Sequence, residues 1–245
     1  MADRSAGETS EAAPAGAMDP SRLVIAIDGP SGSGKSTVAR RVANALGLRY
    51  LDTGAMYRAL TWWLLDSGVE LADTEKVAQL APELPLEMGM DPLAPTVHVG
   101  GTDVGIAIRE TRISESVSLV ATNLAVRADM RQRQRAVVDA GGVVVEGRDI
   151  TTVIAPDAPV RVLLTASEEA RLTRRALEIH GVDDEGALAR TRDQVLRRDA
   201  DDSTVSQFLE AAEGVVVVDS SHLTLDQTVA AVLGLVKART GVTPS

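Results

Sequence analysis

Residues 29 to 36 read Gly29-Pro30-Ser31-Gly32-Ser33-Gly34-Lys35-Ser36, the pattern G-x-x-x-x-G-K-[ST]. That spacing holds a polyphosphate. Three glycines and a proline carry little side-chain bulk, so successive backbone N–H groups can curl around a phosphate, and the positive end of a following helix adds its dipole. Lys35 offers a full positive charge to the β- and γ-phosphates, and Ser36 offers a hydroxyl to Mg²⁺. The candidate ATP-binding set is therefore Gly29, Pro30, Ser31, Gly32, Ser33, Gly34, Lys35, Ser36 and Thr37. A chain of this length spells the pattern by accident roughly one time in a hundred. The only lysines are Lys35, Lys76 and Lys237, with arginine supplying nearly all other positive charge, so a lysine inside the motif has a reason to be there.

Two further clusters carry chemistry. Asp52-Thr53-Gly54 opens a segment that runs to Tyr57-Arg58, and Val143-Val144-Val145 ends in Glu146-Gly147-Arg148-Asp149. Charged groups at the carboxyl end of a buried strand lie where open α/β sheets place ligands. Arginines Arg171, Arg174, Arg175, Arg197 and Arg198 flank the polar stretch His180 to Glu185. Two helices joined by a polar turn, with arginines on both, read as a lid over a phosphate site rather than as an exposed hairpin.

The elements that must hold these groups follow from periodicity. Leu23 to Ile27 is a short buried strand directly before the motif, and Ser36 to Leu46 is an amphipathic helix that ends at Gly47. Arg49-Tyr50-Leu51 is too short to assign alone, and the helix after it runs through Met56, Leu60 and Trp63/Leu64. Trp62 and Trp63 read as packing. Between Gly68 and about Gly105 four prolines and a glycine pair separate short apolar pieces, which suggests a small insertion of strands and turns. Helical spacing returns with Ile113, Val117 and Val120, then Val126, Met130 and Val137; most of Arg127, Arg131, Arg133 and Arg135 on the latter read as a solvated face. Strands at Val160 to Leu164 and Val215 to Val218 follow, the first leading to a helix opened by Ser167, the second to a helix with a Thr224/Gln227 capping box. Five apolar strands alternating with helices predict a three-layer α/β fold: a five-stranded, mostly parallel sheet covered on both faces. The expected organisation is a disordered tail at 1–20, core at 21–67, insertion at 68–105, core at 106–168, lid at 169–205, core at 206–240 and a tail at 241–245.

Composition bounds the function. The 245 residues are 44% hydrophobic, enough for one sizeable core. There is no apolar run near the ~18 residues a membrane span needs, and Met1 to Pro20 lacks the apolar core of a signal peptide. With no cysteines, disulfides, thiolate metal sites and cysteine nucleophiles are excluded, and the cytoplasm is the default compartment. A net charge of −10 argues against broad nucleic-acid binding. Phosphoryl transfer asks the protein mainly for alignment, charge neutralisation and exclusion of water. A kinase acting on a small molecule fits this inventory better than a GTPase-type switch, because no lysine lies in an N-K-x-D context. His98, His180 and His222 are scattered in loops.

Taken together, the segments IDGPSGSGKST (27–37), LDTGAMYRAL (51–60), GTDVGIAIR (101–109), VEGRDITTVIAPDAPV (145–160) and RRDADDS (197–203) resemble the bacterial cytidylate (CMP) kinases over about residues 22 to 238. The resemblance implies a P-loop kinase core with a nucleoside-monophosphate-binding insertion and a short helical lid, and transfer of the ATP γ-phosphate to CMP or dCMP by a monomer requiring Mg²⁺. UMP or a non-nucleotide acceptor is the alternative. It implies that Thr53, Ser118 and Arg127 contact cytosine. Arg58 and Arg148 clamp the acceptor phosphate with help from Tyr57 and Asp149, and Arg109 and Glu146 belong to the same acceptor set. Arg198 and Asp202 lie near the sugar and the transferring phosphate, and Arg174 is a lid arginine. Lys35, Arg148, Arg174, Arg198 and Asp149 form the catalytic set. Two positions depart from the family pattern. Val205 stands where D-S-x-R has its arginine, which bears on nucleobase affinity and on ribose against deoxyribose. Thr151 replaces the glycine that commonly follows G-R-D-[IM].

Overall fold

The computed structural model describes residues 17–244. Five strands, β1 (Val24–Asp28), β2 (Arg49–Asp52), β6 (Val143–Gly147), β7 (Val160–Thr165) and β8 (Val216–Asp219), form one sheet in the order β2-β6-β1-β7-β8, and every pairing is parallel. Alternation along the strands sorts their side chains onto two faces. Val24, Ala26, Leu51, Val143 and Val145 join the core beneath α2 (Thr53–Asp66) and α5 (Leu124–Asp139). Ile25, Ile27, Val144, Val162 and Leu164 join the core beneath α1 (Lys35–Ala45) and α8 (Leu225–Thr240). Burial on both faces explains why β1 and β6 are continuous apolar runs.

Between β2 and β6 the insertion holds α3 (Thr74–Leu80) and an antiparallel sheet of β3 (Leu86–Gly89), β4 (Thr96–Val99) and β5 (Thr102–Asp103). The helix α3 was not expected; its start is set by the Asp73 side chain, which accepts from Lys76 N at 3.0 Å. Helix α4 (Thr111–Ala121) leads into α5. After β7, α6 (Glu168–His180) and α7 (Glu185–Ser203) form the helical pair, joined by the polar turn where Gly181 takes φ +71°. Ser167 caps α6 through Ala170 N, and the Thr224/Gln227 capping box opens α8.

Three expectations need correction. Strand β8 is only partly buried: Val218 alone of Val216–Asp219 is buried, whereas the opposite edge strand β2 is buried along Tyr50 to Asp52. The α5 arginines are only in part a solvated face: Arg127 is buried, half-buried Arg133 donates to the carbonyls of Leu84 (3.0 Å) and Pro82 (2.9 Å), and Arg135, though exposed, donates to that of Val153 (2.6 Å). They satisfy carbonyls of irregular segments that lack ladder partners. Of the expected tail, residues 1–16 lie outside the described residues, but Met18 N donates to Thr240 O at 2.8 Å and Pro20–Arg22 forms a short 3₁₀ turn, so 17–20 belong to the fold.

Candidate active site

The loop between β1 and α1 is shaped by close approaches. A Cβ on Gly29 would stand 2.3 Å from Leu164 O, and one on Gly32 would stand 2.5 Å from Arg171 O, with Gly32 at φ +77°. Gly34 caps α1 at φ +87°, aligning the first helical amides with the loop. Lys35 curls back so that Nζ donates to Pro30 O at 3.3 Å. Burial lowers its pKa below the usual lysine value, opposed by the nearby Glu146 carboxylate.

Glu146, at the end of β6, is the hub of the floor. It accepts from Ser36 Oγ at 2.7 Å and from Tyr50 OH at 3.2 Å, while its backbone oxygen accepts from Thr53 Oγ1 at 2.8 Å. Burial and the Asp52 charge push its carboxyl up to about 6, against the pull of Lys35. Burial works the same way on Asp52, but Arg58 (3.0 Å) and the Ala55 amide (2.7 Å) outweigh it and hold Asp52 below its usual value. Ser36 and Glu146 present only oxygen donors. That fits Mg²⁺, a hard cation that keeps waters and takes phosphate oxygens alongside one or two protein ligands. Among the described residues no cluster of three His, Cys, Asp or Glu forms a dedicated cage.

Lys35 lines a cavity of about 980 Å³ together with Arg58, Arg148 and Arg198. Arg148 donates to Asp199 at 2.8 Å and pairs with Asp202 at 2.9 Å. Arg198 is pushed down to about 9 by burial and by the charges of Arg148 and Arg58, against the pull of Asp202, which lies 3.8 Å from its Nε; neither that Nε nor the Nε of Arg58 makes a hydrogen bond among the described residues. Like charges held together with unspent donors are stabilised by an anion between them. Arg127 is 5% exposed; it donates to Asp149 at 2.6 Å and to Ser206 Oγ at 2.8 Å. Arg174 on α6 reaches Ser33 O at 3.3 Å and Ser220 O at 2.6 Å.

The residues singled out in the sequence converge well. Ser31 to Thr37, Thr53, Tyr57, Arg58 and Arg109 line the cavity, as do Arg127, Glu146, Arg148, Asp149, Arg174, Arg198 and Asp202. Gly29 and Pro30 support the loop from behind. Ser118 is not on the cavity wall; its helix neighbours Val117 and Ala121 are, and the Ser118 carbonyl accepts from Thr122 Oγ1 at 2.7 Å. Four contributors were missed. Asp199 accepts from Ser31 N (3.1 Å), Arg148 and Arg171, tying the P-loop to the lid. Ser206 and Phe208 contact Arg127 and Arg148. Asp28, 1% exposed, accepts from Ile150 N (2.9 Å), Thr151 N (2.8 Å) and Thr151 Oγ1 (2.6 Å). The departure at Thr151 thus adds a third hydrogen bond to a buried carboxyl at the root of the P-loop. Asp199 and Asp28 lay inside quoted motifs, but nothing local told which distant amides they would serve.

Comparison with known proteins agrees with this geometry. The family model described as cytidylate kinase matches residues 25–238. A cytidylate kinase of Cutibacterium acnes is 49% identical over 221 residues, covering 89% of this chain and 98% of that one. One from Rhodococcus opacus is 46% identical over 231 residues, covering 92% and 99%. One from Streptomyces avermitilis is 44% identical over 220 residues, covering 89% and 94%. The chain belongs to the cytidylate kinase family.

Proposed function

We propose that the protein transfers the γ-phosphate of ATP to CMP or dCMP, releasing ADP and the pyrimidine nucleoside diphosphate. The observation that carries this reading is the trio Arg58, Arg148 and Arg198 sharing one cavity with the P-loop and Lys35. One phosphate can be held by the loop and another by the arginines, with room between for in-line transfer. An acceptor phosphate oxygen attacks the γ-phosphorus, the bond from that phosphorus to the β,γ-bridging oxygen breaks, and ADP leaves with the electron pair. The protein supplies position and charge. The P-loop amides and Lys35 hold the donor, Arg58 and Arg148 hold the acceptor phosphate, and Arg174 and Arg198 from the lid neutralise the transferring group. Ser36 and Glu146 would hold Mg²⁺, which would supply charge neutralisation for the donor's phosphates.

In this reading the insertion 68–105 closes over the nucleoside, since Met88, Gly89 and Thr96 line the same cavity. The pair α6–α7 acts as the lid, Gly32 lying directly against Arg171. Thr53 and Arg127 hold the base edge, with Ser118 contributing through a shift of α4, while Tyr57 and Asp149, the latter bonded to Arg127, help form the acceptor-phosphate clamp. All these groups come from one chain, which supports action as a monomer. No helix among the described residues is long and apolar enough to cross a membrane. As a kinase that draws on ATP and a nucleoside monophosphate, the enzyme is placed in the cytoplasm.

A coupled ADP-release assay over CMP, dCMP, UMP, AMP and GMP tests the assignment. Turnover is expected with CMP or dCMP. Turnover with AMP or GMP but not CMP, or ATP hydrolysis independent of any acceptor, would overturn it.

A further inference from the structure

Where the chain leaves α7 and returns to the sheet, it reaches both arginines on the acceptor side. Ser206 accepts from Arg127 Nη2 at 2.8 Å, and the Arg148 guanidinium carbon sits 4.4 Å from the centroid of the Phe208 ring. Phe208 is 1% exposed and is the only phenylalanine of the chain. Carboxylates occupy two sides of Arg148, Asp199 through Nη1 and Asp202 through Nε. Carboxylates hold a guanidinium by its edges, within its plane; an aromatic face beneath it adds attraction from outside the plane and resists tilting. A planar fork delivers its paired donors to a phosphate only when the plane is correct.

We propose that Phe208 is a positioning residue for the acceptor: its ring sets the plane of Arg148 so that the guanidinium is ready for the monophosphate before it arrives. The segment from Val205 to Leu209 then serves the site through aromatic packing and a serine hydroxyl. The inference rests on the assignment of Arg148 to the acceptor phosphate. It concerns affinity for that ligand, since the ring lies under Arg148, whereas the P-loop is reached from there only by way of Asp199 and Ser31 N.

Because the chain has one phenylalanine, growth on fluorinated phenylalanine alters position 208 alone, and 3,4,5-trifluorophenylalanine weakens the ring face with little change of shape. Calorimetric Kd for CMP, Kd for a non-hydrolysable ATP analogue, KM for each substrate and the thermal midpoint are measured on the wild type, the trifluoro protein and Phe208→Leu. Loss of a partly desolvated cation–π contact predicts that Phe208→Leu raises the Kd for CMP about three- to thirtyfold. The trifluoro protein should fall between it and the wild type, and ATP affinity should stay within about twofold. Unchanged CMP affinity in the trifluoro protein overturns the proposal. So does equal weakening of CMP and ATP alongside a lowered midpoint, the mark of a merely structural ring. Should the trifluoro protein not fold, Phe208→Leu decides by the same criteria. The Kd for CMP is read without turnover, so a wild type that binds CMP but does not phosphorylate it would defeat the proposed reaction while still testing Phe208.

Discussion

Thr151→Val removes one hydroxyl and almost no volume, and its cost should depend on pH in a way set by Asp28. In the wild type the Asp28 carboxyl is 1% exposed; burial raises it from 3.8 to about 6, with the Thr151 hydroxyl and the amides of Thr151 and Ile150 pulling it back. A folded pKa above the unfolded one means that the native state binds the proton more tightly. Its contribution, about 3 kcal/mol for that rise, is therefore full below pH ~4 and lost as pH climbs through 6. Above pH 6 the carboxylate is charged and leans on three donors, of which the hydroxyl at 2.6 Å is the shortest. Deleting a hydrogen bond to a buried charge costs about 1.5–3 kcal/mol, whereas one to a neutral acid costs about 0.5–1.5 kcal/mol. Urea unfolding of both proteins at pH 8 and pH 4.5 should show Thr151→Val destabilised by about 1.5–3 kcal/mol at the higher pH and clearly less at the lower. Taking the difference between variant and wild type cancels Glu146 and other groups titrating in the window. Equal losses at both pH values, or a loss under about 0.5 kcal/mol at pH 8, would refute the view that this hydroxyl supports a charged Asp28.

Lys35→Ala should lower kcat by at least about 10²-fold with an unchanged far-ultraviolet circular dichroism spectrum, because the buried ammonium serves the ligand and costs the fold; a lost folded signal would contradict it. Glu146→Gln keeps the shape of the floor but weakens the acceptor for Ser36, and should raise the Mg²⁺ concentration for half-maximal rate by about tenfold or more. An unchanged Mg²⁺ dependence would remove Glu146 from the metal's surroundings. Gly32→Ala forces a Cβ to 2.5 Å from Arg171 O at a positive φ, so it should lower the thermal midpoint and raise KM for ATP as α6 is pushed away from the loop. A variant with normal midpoint and KM would show that the lid packs less closely on the loop than described.

The parts of the site legible in the sequence were those whose chemistry is local. The P-loop carries its glycines, lysine and serine within eight residues, and β1 and α1 flank it as periodic patterns; Glu146 to Asp149 is marked by the apolar strand that delivers it. What stayed hidden depends on closure of the tertiary structure. Asp199 and Ser31 are 168 residues apart, and Asp28 and Thr151 are separated by 123, so no window around either could pair them. Arg133 resembled a surface charge because the carbonyls it serves belong to irregular segments about 50 residues away. Phe208 carried no signal: one aromatic in a short apolar piece reads as core, and only the position of Arg148 above it gives it a second role. Strand β8 misled for the opposite reason, since an apolar run does not reveal how much of it its neighbours will cover.

The bond from Met18 N to Thr240 O, with Ala17 against Gly241, brings the two ends of the described residues together at the amino end of the strands, opposite the phosphate loop. A short peptide bridge there would close the backbone into a ring without disturbing any strand. New ends could then be opened at the exposed turn between α6 and α7. Such a permuted chain would keep donor loop and acceptor arginines on one continuous framework while cutting the lid's covalent loop, separating what tethering contributes to catalysis from what packing contributes.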